Sequence, residues 1–245
     1  MRGFASLPEL VEQLNVSEST VRRDLDVLEE AGSARRTHGG VFYVGPSPML
    51  PDFEERQPSQ WDKKRAIAAE AAKLVEDGDT LLMDGGSTTY EVARLLVGRR
   101  LQIVTNSLPV ANLFAANKSH ELVLVGGYVY PRTGVMLGPY ATQMLEKVNV
   151  RRTIMSVAGI NERGYFNSNL LLVEAEQAMM RAAEEVIVVA DSTKFGHHSL
   201  AHLCPLGDVH RIVVDGEITN DWRDKLTSAG VLLHVARNEP ISVPV

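Results

Sequence analysis

Residues 80–96, "TLLMDGGSTTYEVARLL", decide how the larger part of this chain is read. A strand-length apolar run ends at Asp84, passes through Gly85 and Gly86, and enters a helix near Ser87. Paired glycines let a backbone come close to a ligand, and Ser87, Thr88 and Thr89 add hydroxyls at a helix N-terminus. Such a turn is an anion cradle by composition. It is not a Walker loop, because no Gly-Lys-Ser/Thr follows, and no G-x-G-x-x-G occurs. A capped tight turn would use the same residues, so the stretch points to a fold before it points to a ligand.

The pattern repeats downstream. "LQIVT", "ELVLV", "TIMSVA", "VIVVA", "RIVVD" and "VLLHVA" are near-continuous apolar runs separated by helix-length amphipathic stretches. Runs of this kind predict a mostly parallel sheet covered by helices on both faces, an α/β class. Ligands of such sheets bind beyond the carboxyl ends of the strands. Those ends supply Thr105, Asn106 and Ser107 in "VTNS", Gly126 and Gly127 in "VGG", and Asp191 and Lys194 in "ADSTKFG". Each has a plainer use: capping, close packing or surface charge. Together with Asp84–Thr89 they predict a pocket for a phosphorylated polyol or sugar, with Lys194 as cationic partner.

Upstream, residues 1–45 read as short helices. Leu10, Val11 and Leu14 form one apolar stripe; Val21, Leu25 and Leu28 form another, with Ser17 as N-cap between them. Two helices joined by a tight turn make a helix-turn-helix. The second helix exposes Ser19, Thr20, Arg22 and Arg23 in its first two turns, where a recognition helix meets bases and phosphates. "SARRTHGGVF" predicts a small hairpin that sets Arg35, Arg36 and His38 beside a DNA backbone. The segment nonetheless holds five Lys/Arg against seven Asp/Glu, so a solvated helix face reads equally well from spacing alone. Residues 46–60, with four prolines, predict a linker to a third region at 61–245.

Composition narrows the choices. At 245 residues and a net charge of −6, the chain does not bind nucleic acid by bulk charge, although groove reading needs only a few donors. One cysteine, Cys204, forbids an internal disulfide, and no run approaches membrane-spanning length, so a cytoplasmic protein without membrane partners is expected. His197, His198, His202 and Cys204 match no zinc spacing, and neither a metal nor any other cofactor is expected.

"VSESTVRRDLDVLEEAG" followed by "RRTHGG" resembles the DNA-binding segment of the DeoR family of bacterial transcriptional regulators. "DGGSTT", "VTNS", "VGG", "LGP" and "ADSTKFG" resemble that family's sensor domain, so the likeness covers nearly the whole chain. It implies a winged helix-turn-helix followed by a sensor similar to the ribose-5-phosphate isomerase fold. It further implies a repressor of carbohydrate genes that binds double-stranded operator DNA as a homodimer or homotetramer and is released by a phosphorylated sugar. Arg22 and Arg23 resemble the DNA-contacting pair. The family usually has a helix before "FASLPEL", so the DNA-binding segment is expected to lack its first helix. Relatives often carry an aspartate where Ala158 sits, and a basic residue soon after the glutamate of "NSNLLLVEAEQAMM". Glu174 is taken as the pocket carboxylate, with Glu176 as the other possibility. The rival reading is a sugar-phosphate isomerase using Glu174, Glu176 or Asp191 as base, but no single base is identified, and no residue is assigned a catalytic role.

Overall fold

The computed structural model describes residues 4–14, 16–30, 34–37, 40–43, 53–116 and 119–237. The chain forms two compact units, Met1–Met49 and Leu50–Val245.

In the first unit, β1 (Phe4–Ser6) leads into α1 (Leu7–Leu14) and α2 (Glu18–Glu30), followed by β2 (Ala34–Thr37) and β3 (Gly40–Tyr43). The strands form an antiparallel sheet in the order β1-β3-β2, so the hairpin read from "SARRTHGGVF" forms and gains a third strand. Val21, Leu25 and Val41 make the core, with Leu7, Leu10 and Val11 packed on it. The Ser17 hydroxyl accepts the Thr20 amide at 3.2 Å and caps α2. Leu28 departs from the sequence reading: it is 45% exposed, as is Leu14 to a similar degree. At eight residues, α1 is too short to follow all thirteen of α2, and the apolar cluster ends at Leu25.

The second unit opens with α3 (Phe53–Arg56) and α4 (Trp61–Ala72). Residues 53–60 were read as the end of a linker, yet they pack on this unit. Phe53 is buried, its amide donates to the Arg132 carbonyl at 2.9 Å, and its ring meets Tyr90 edge-on at 5.3 Å. One aromatic with a site to fill outweighs a proline-rich composition. Residues 44–52 lie outside the described set.

Next come β4 (Thr80–Met83), α5 (Ser87–Leu96), β5 (Gln102–Thr105), α6 (Leu108–Ala115) and β6 (Glu121–Leu124). A hairpin of β7 (Tyr128–Tyr130) and β8 (Val135–Leu137) precedes α7 (Pro139–Leu145) and β9 (Val150–Met155). Then follow β10 (Gly159–Asn161), β11 (Gly164–Asn167), α8 (Leu170–Arg181), β12 (Ala183–Val189), β13 (Ala201–Cys204), β14 (Arg211–Asp215), α9 (Asn220–Ser228) and β15 (Leu232–Ala236).

The seven apolar runs form one parallel sheet, ordered β15-β14-β12-β9-β4-β5-β6. Period-two alternation assigns its faces. Leu81 and Met83 pack with Ile67, Ala71, Val92 and Phe114 of α4, α5 and α6, whereas Leu82 packs with Leu145, Leu172 and Met179 of α7 and α8. Successive strands run outward from β4 through β5 to β6; the chain then returns to place β9 on the other side of β4 and continues to β15. The order therefore reverses between β4 and β9, and the helices diverge there to leave a crevice at the carboxyl ends. No helix among the described residues is long and apolar enough to cross a membrane.

Candidate functional site

The crevice at β4 and β9 opens into a cavity of about 530 Å³ lying within the second unit. Asp84, Gly85, Gly86, Ser87 and Thr88 line one side, Ser156–Ala158 another, and Asp191, Thr193 and Lys194 a third. The Asp84 carboxylate ties the two central strand ends together. It accepts the Gly86 amide at 3.1 Å and the Ser156 amide at 3.0 Å. Burial raises the Asp84 pKa from the ordinary aspartate value, and these donors oppose the rise.

Both glycines have a packing reason as well as a ligand reason. A Cβ at Gly85 would lie 2.0 Å from Val135 Cγ1, and one at Gly86 would lie 1.5 Å from Ser156 Oγ. Gly86 caps α5 with no side-chain acceptor, and Ser87 and Thr88 of the first turn line the cavity.

Two residues on helices bring charge inside. Lys64 of α4 is only 5% exposed and lines the cavity, its ammonium donating to the Arg56 carbonyl. Burial lowers its pKa to about 8; Asp191 opposes, while Lys194 and Arg56 add repulsion in the same direction as burial. On the far side Glu176 of α8 is 1% exposed. Its Oε1 accepts Asn167 Nδ2 at 2.6 Å, and its Oε2 has no hydrogen-bond partner. Burial, reinforced by the negative charge of Asp84, pushes the Glu176 pKa well up. The cavity thus gathers Lys64, Lys194 and Arg56 with the buried Asp191 among them, and sets the carboxyls of Asp84 and Glu176 apart from these. Thr133, with a buried unpartnered hydroxyl, also borders it.

Lys64 is absent from the residues read from sequence, and Glu176 stands there only as the alternative to Glu174, though each left a trace. Lys64 stands on the apolar stripe of Ile67, Ala68 and Ala71, and Glu176 on that of Leu172 and Met179. A charge on an inward stripe is the legible signal. Glu174, two positions away, points outward and is exposed; the helical period separates it from Glu176 by about 200°.

Other expected ligand residues lie elsewhere. Thr105, Asn106 and Ser107 are buried outside the cavity lining: Thr105 Oγ1 donates to the Met83 carbonyl at 2.7 Å, Asn106 Nδ2 donates to the Met136 carbonyl at 3.0 Å while its Oδ1 has no partner among the described residues, and Ser107 caps α6 by accepting the Val110 amide at 3.3 Å. Thr89 is fully buried behind the cradle. Gly126 and Gly127 are outside the cavity lining, and a Cβ at Gly127 would press on the Leu137 carbonyl at 2.8 Å, a packing role. Ala158 does line the cavity, putting a methyl where the resemblance suggested an aspartate. His202 Nε2 donates to the Arg163 carbonyl at 2.9 Å, and Cys204 is buried with its thiol pushed up to about 12 by burial. No metal-holding group of three or more His, Cys, Asp or Glu occurs among the described residues.

In the first unit, Ser17, Ser19, Thr20, Arg22 and Arg23 all sit exposed at the start of α2. Ser17 Oγ lies 2.8 Å from both Ser19 Oγ and Thr20 Oγ1, so the three hydroxyls form one cluster. Arg22 Nη2 pairs with Glu18 Oε1 at 2.6 Å, an exposed i,i+4 bridge that holds the guanidinium near the helix start. Arg35 and Arg36 lie on β2, and His38 falls outside the described residues.

Comparison with known proteins covers both units. Residues 1–46 match the DeoR-like helix-turn-helix domain and residues 59–216 the DeoR C terminal sensor domain. The HTH-type transcriptional regulator IolR of Bacillus subtilis (strain 168) is 32% identical over 96% of this chain and 94% of its own length. The transcriptional repressor AccR of Agrobacterium fabrum is 35% identical over 86% and 83%, and the glycerol-3-phosphate regulon repressor of Escherichia coli (strain K12) is 30% identical over 87% and 85%. Among solved structures, ribose 5-phosphate isomerase A of Methanocaldococcus jannaschii aligns with a TM-score of 0.39 at 20% identity, covering 54% of this chain and 53% of its own. Translation initiation factor eIF-2B of Pyrococcus horikoshii OT3 aligns at 0.44 and 17%, covering 63% and 62%. With a helix-turn-helix and a sensor domain both matched, the chain belongs to the DeoR family of transcriptional regulators.

Proposed function

We propose that the protein represses carbohydrate-metabolism genes by binding operator DNA, and that a phosphorylated sugar or polyol in the cavity of the second unit controls that binding. The observation that carries the reading is the cavity's charge layout. Lys64 and Lys194 stand with Arg56 at one end, close enough to repel, with the buried Asp191 among them. A buried ammonium such as Lys64, with no ion pair among the described residues, is costly, and an anion in the cavity lowers that cost. At the other end Asp84, Glu176 and Asn167 offer hydrogen-bonding groups suited to hydroxyls. One ligand with a phosphate and a hydroxylated chain satisfies both ends. The names of relatives point the same way: one is a repressor of a glycerol-3-phosphate regulon.

On this reading DNA contact falls to Arg23, Ser19 and Thr20, with Arg22, Arg35 and Arg36 against phosphates, in a homo-oligomer that spans two half-sites. Effector binding favours an arrangement of the oligomer that mismatches that spacing, and operator must weaken effector binding by the same factor. The pocket senses and does not turn over its ligand. A thermal-unfolding screen of phosphorylated sugars and polyols, each beside its unphosphorylated parent, tests the reading. A specific ligand at ~100 times its Kd stabilises by about 2.7 kcal/mol. A shift with the phosphorylated compound alone is the expected result. Equal shifts with the parent would refute the phosphate end, and chemical conversion of the ligand would establish the isomerase alternative.

A further inference from the structure

The turn between α3 and α4 combines a strained residue with a buried cation. Gln60 has φ 54 and ψ 36, the left-handed region, and no other described non-glycine residue has positive φ. Such a conformation is strained for a residue with a Cβ and needs something to hold it. Gln60 is the N-cap of α4, makes no side-chain cap, and borders the cavity.

The holding contact is Lys64. Its backbone amide donates to the Gln60 carbonyl at 3.0 Å, and its ammonium reaches back across the turn to the Arg56 carbonyl, the last residue of α3. The neighbouring Lys63 fastens the helix itself, donating to Ser192 Oγ at 2.9 Å and Glu217 Oε2 at 2.6 Å beside the ends of β12 and β14. So α4 is anchored to the sheet through Lys63, and the turn is drawn onto α4 through Lys64. Among the described residues Lys64 makes no ion pair: Asp191 acts on it across the cavity, and a neutral carbonyl is its hydrogen-bond partner. A phosphate in the cavity is a stronger partner than a carbonyl for an ammonium, because the hydrogen bond is charge-assisted at both ends. From Phe53 the chain runs back through residues 44–52 to the DNA-reading unit.

We propose that Lys64 is the cation that receives the effector's phosphate, and that its exchange from the Arg56 carbonyl to the phosphate releases the α3–α4 turn, passing occupancy of the cavity to the chain that leads to the DNA-reading unit. The inference rests on the phosphate reading above and adds to it which cation carries the signal. Lys194 strengthens binding without touching the turn, so the two lysines have separable roles.

The two tryptophans make the exchange measurable. Trp61 follows Gln60 and is 43% exposed, whereas Trp222 is 8% exposed, so acrylamide quenching reports chiefly on the turn. Full-length protein is titrated with inorganic phosphate, with chloride at matched ionic strength as control, by calorimetry and by quenching. In the wild type, quenching rises with the same midpoint as phosphate binding. Lys194→Met moves that midpoint and keeps the amplitude. Lys64→Met, checked for folding by its melting curve, weakens phosphate binding about tenfold, the loss of one charge-assisted hydrogen bond. Its quenching starts at the phosphate-saturated wild-type level and no longer responds. Phosphate that binds the wild type without changing Trp61 overturns the exchange, as does full amplitude in Lys64→Met. Absence of calorimetric binding to the wild type overturns the phosphate pocket itself, and the exchange with it.

Discussion

Gly86→Ala separates two reasons for the glycine pair, and its cost follows from the geometry. Gly86 has φ −75 and ψ 151, which alanine adopts freely, so the backbone imposes no penalty. The added Cβ would lie 1.5 Å from Ser156 Oγ and 2.7 Å from Ser156 Cβ. Turning the serine relieves the first clash but not the second, since Cβ is fixed by the backbone. Non-bonded carbons settle at about 3.5–4.0 Å, so the loops after β4 and β9 must part by roughly 1 Å. That movement strains the 3.0 Å bond from the Ser156 amide and the 3.1 Å bond from the Gly86 amide, both to Asp84. Overpacking of this kind costs ~1–3 kcal/mol, and a weakened buried hydrogen bond adds about 1. A loss of about 2–4 kcal/mol is expected in urea unfolding followed by tryptophan emission, which reports on the second unit because Trp61 and Trp222 both lie there. Ser156→Gly removes both clashing atoms, so the double variant should recover much of the loss, with a coupling of about 2 kcal/mol. Additive single and double variants, or a Gly86→Ala protein within about 0.5 kcal/mol of wild type, would refute the packing argument. A stable variant that no longer binds effector would leave ligand approach as the glycine's purpose.

Arg23→Ala should weaken operator binding by about 1–3 kcal/mol and relax its sequence preference, the loss of one base contact, while phosphate binding in the second unit stays unchanged; a loss of both would contradict the division of labour. Glu176→Gln should change the pH dependence of stability: with the folded pKa raised by burial and by Asp84, the unfolded chain releases this proton first, so wild-type stability falls as pH rises above the ordinary glutamate value of about 4.3 and levels off beyond the folded pKa. The glutamine variant lacks that fall, and urea unfolding at pH 4 and pH 7 checks whether its advantage grows with pH. Gln60→Gly should raise stability by up to about 1 kcal/mol, because glycine adopts a φ of 54 without strain; a lower urea midpoint would show that the side chain contributes more than its backbone costs.

Much of this architecture is written locally. Inner strands of the sheet such as β4 are near-continuous apolar runs because both faces are covered, whereas the edge strands β6 and β15 leave Val123, Leu124 and Leu232 exposed; several helix starts carry their own cap, as with Ser17 before α2 and Ser107 before α6. Capping also explains where the reading of the site overreached. Thr105, Asn106 and Ser107 have the composition of a ligand loop, but they lie outside the cavity lining, and the Thr105 hydroxyl, the Asn106 amide nitrogen and the Ser107 hydroxyl meet backbone partners at Met83, Met136 and Val110. A hydroxyl's sequence context is the same whether it faces a ligand or a carbonyl.

What the sequence determined alone was the class of each segment: a helix-turn-helix with a hairpin, then strands and helices in alternation, with Asp84–Thr88 and Lys194 at strand ends. Those features depend on periodicity, caps and turn residues, which act over a few positions. Only the tertiary structure decided that β9 returns beside β4, and with it which strand ends face one cavity. Lys64, Asp84, Glu176 and Asp191 are far apart in the chain and meet there because the strand order reverses. The choice of Glu176 over Glu174 was likewise settled by which face of α8 lies on the sheet. Burial then set the chemistry, raising one carboxyl and lowering one ammonium, since a charge's environment depends on every element packed around it and not on its neighbours in sequence.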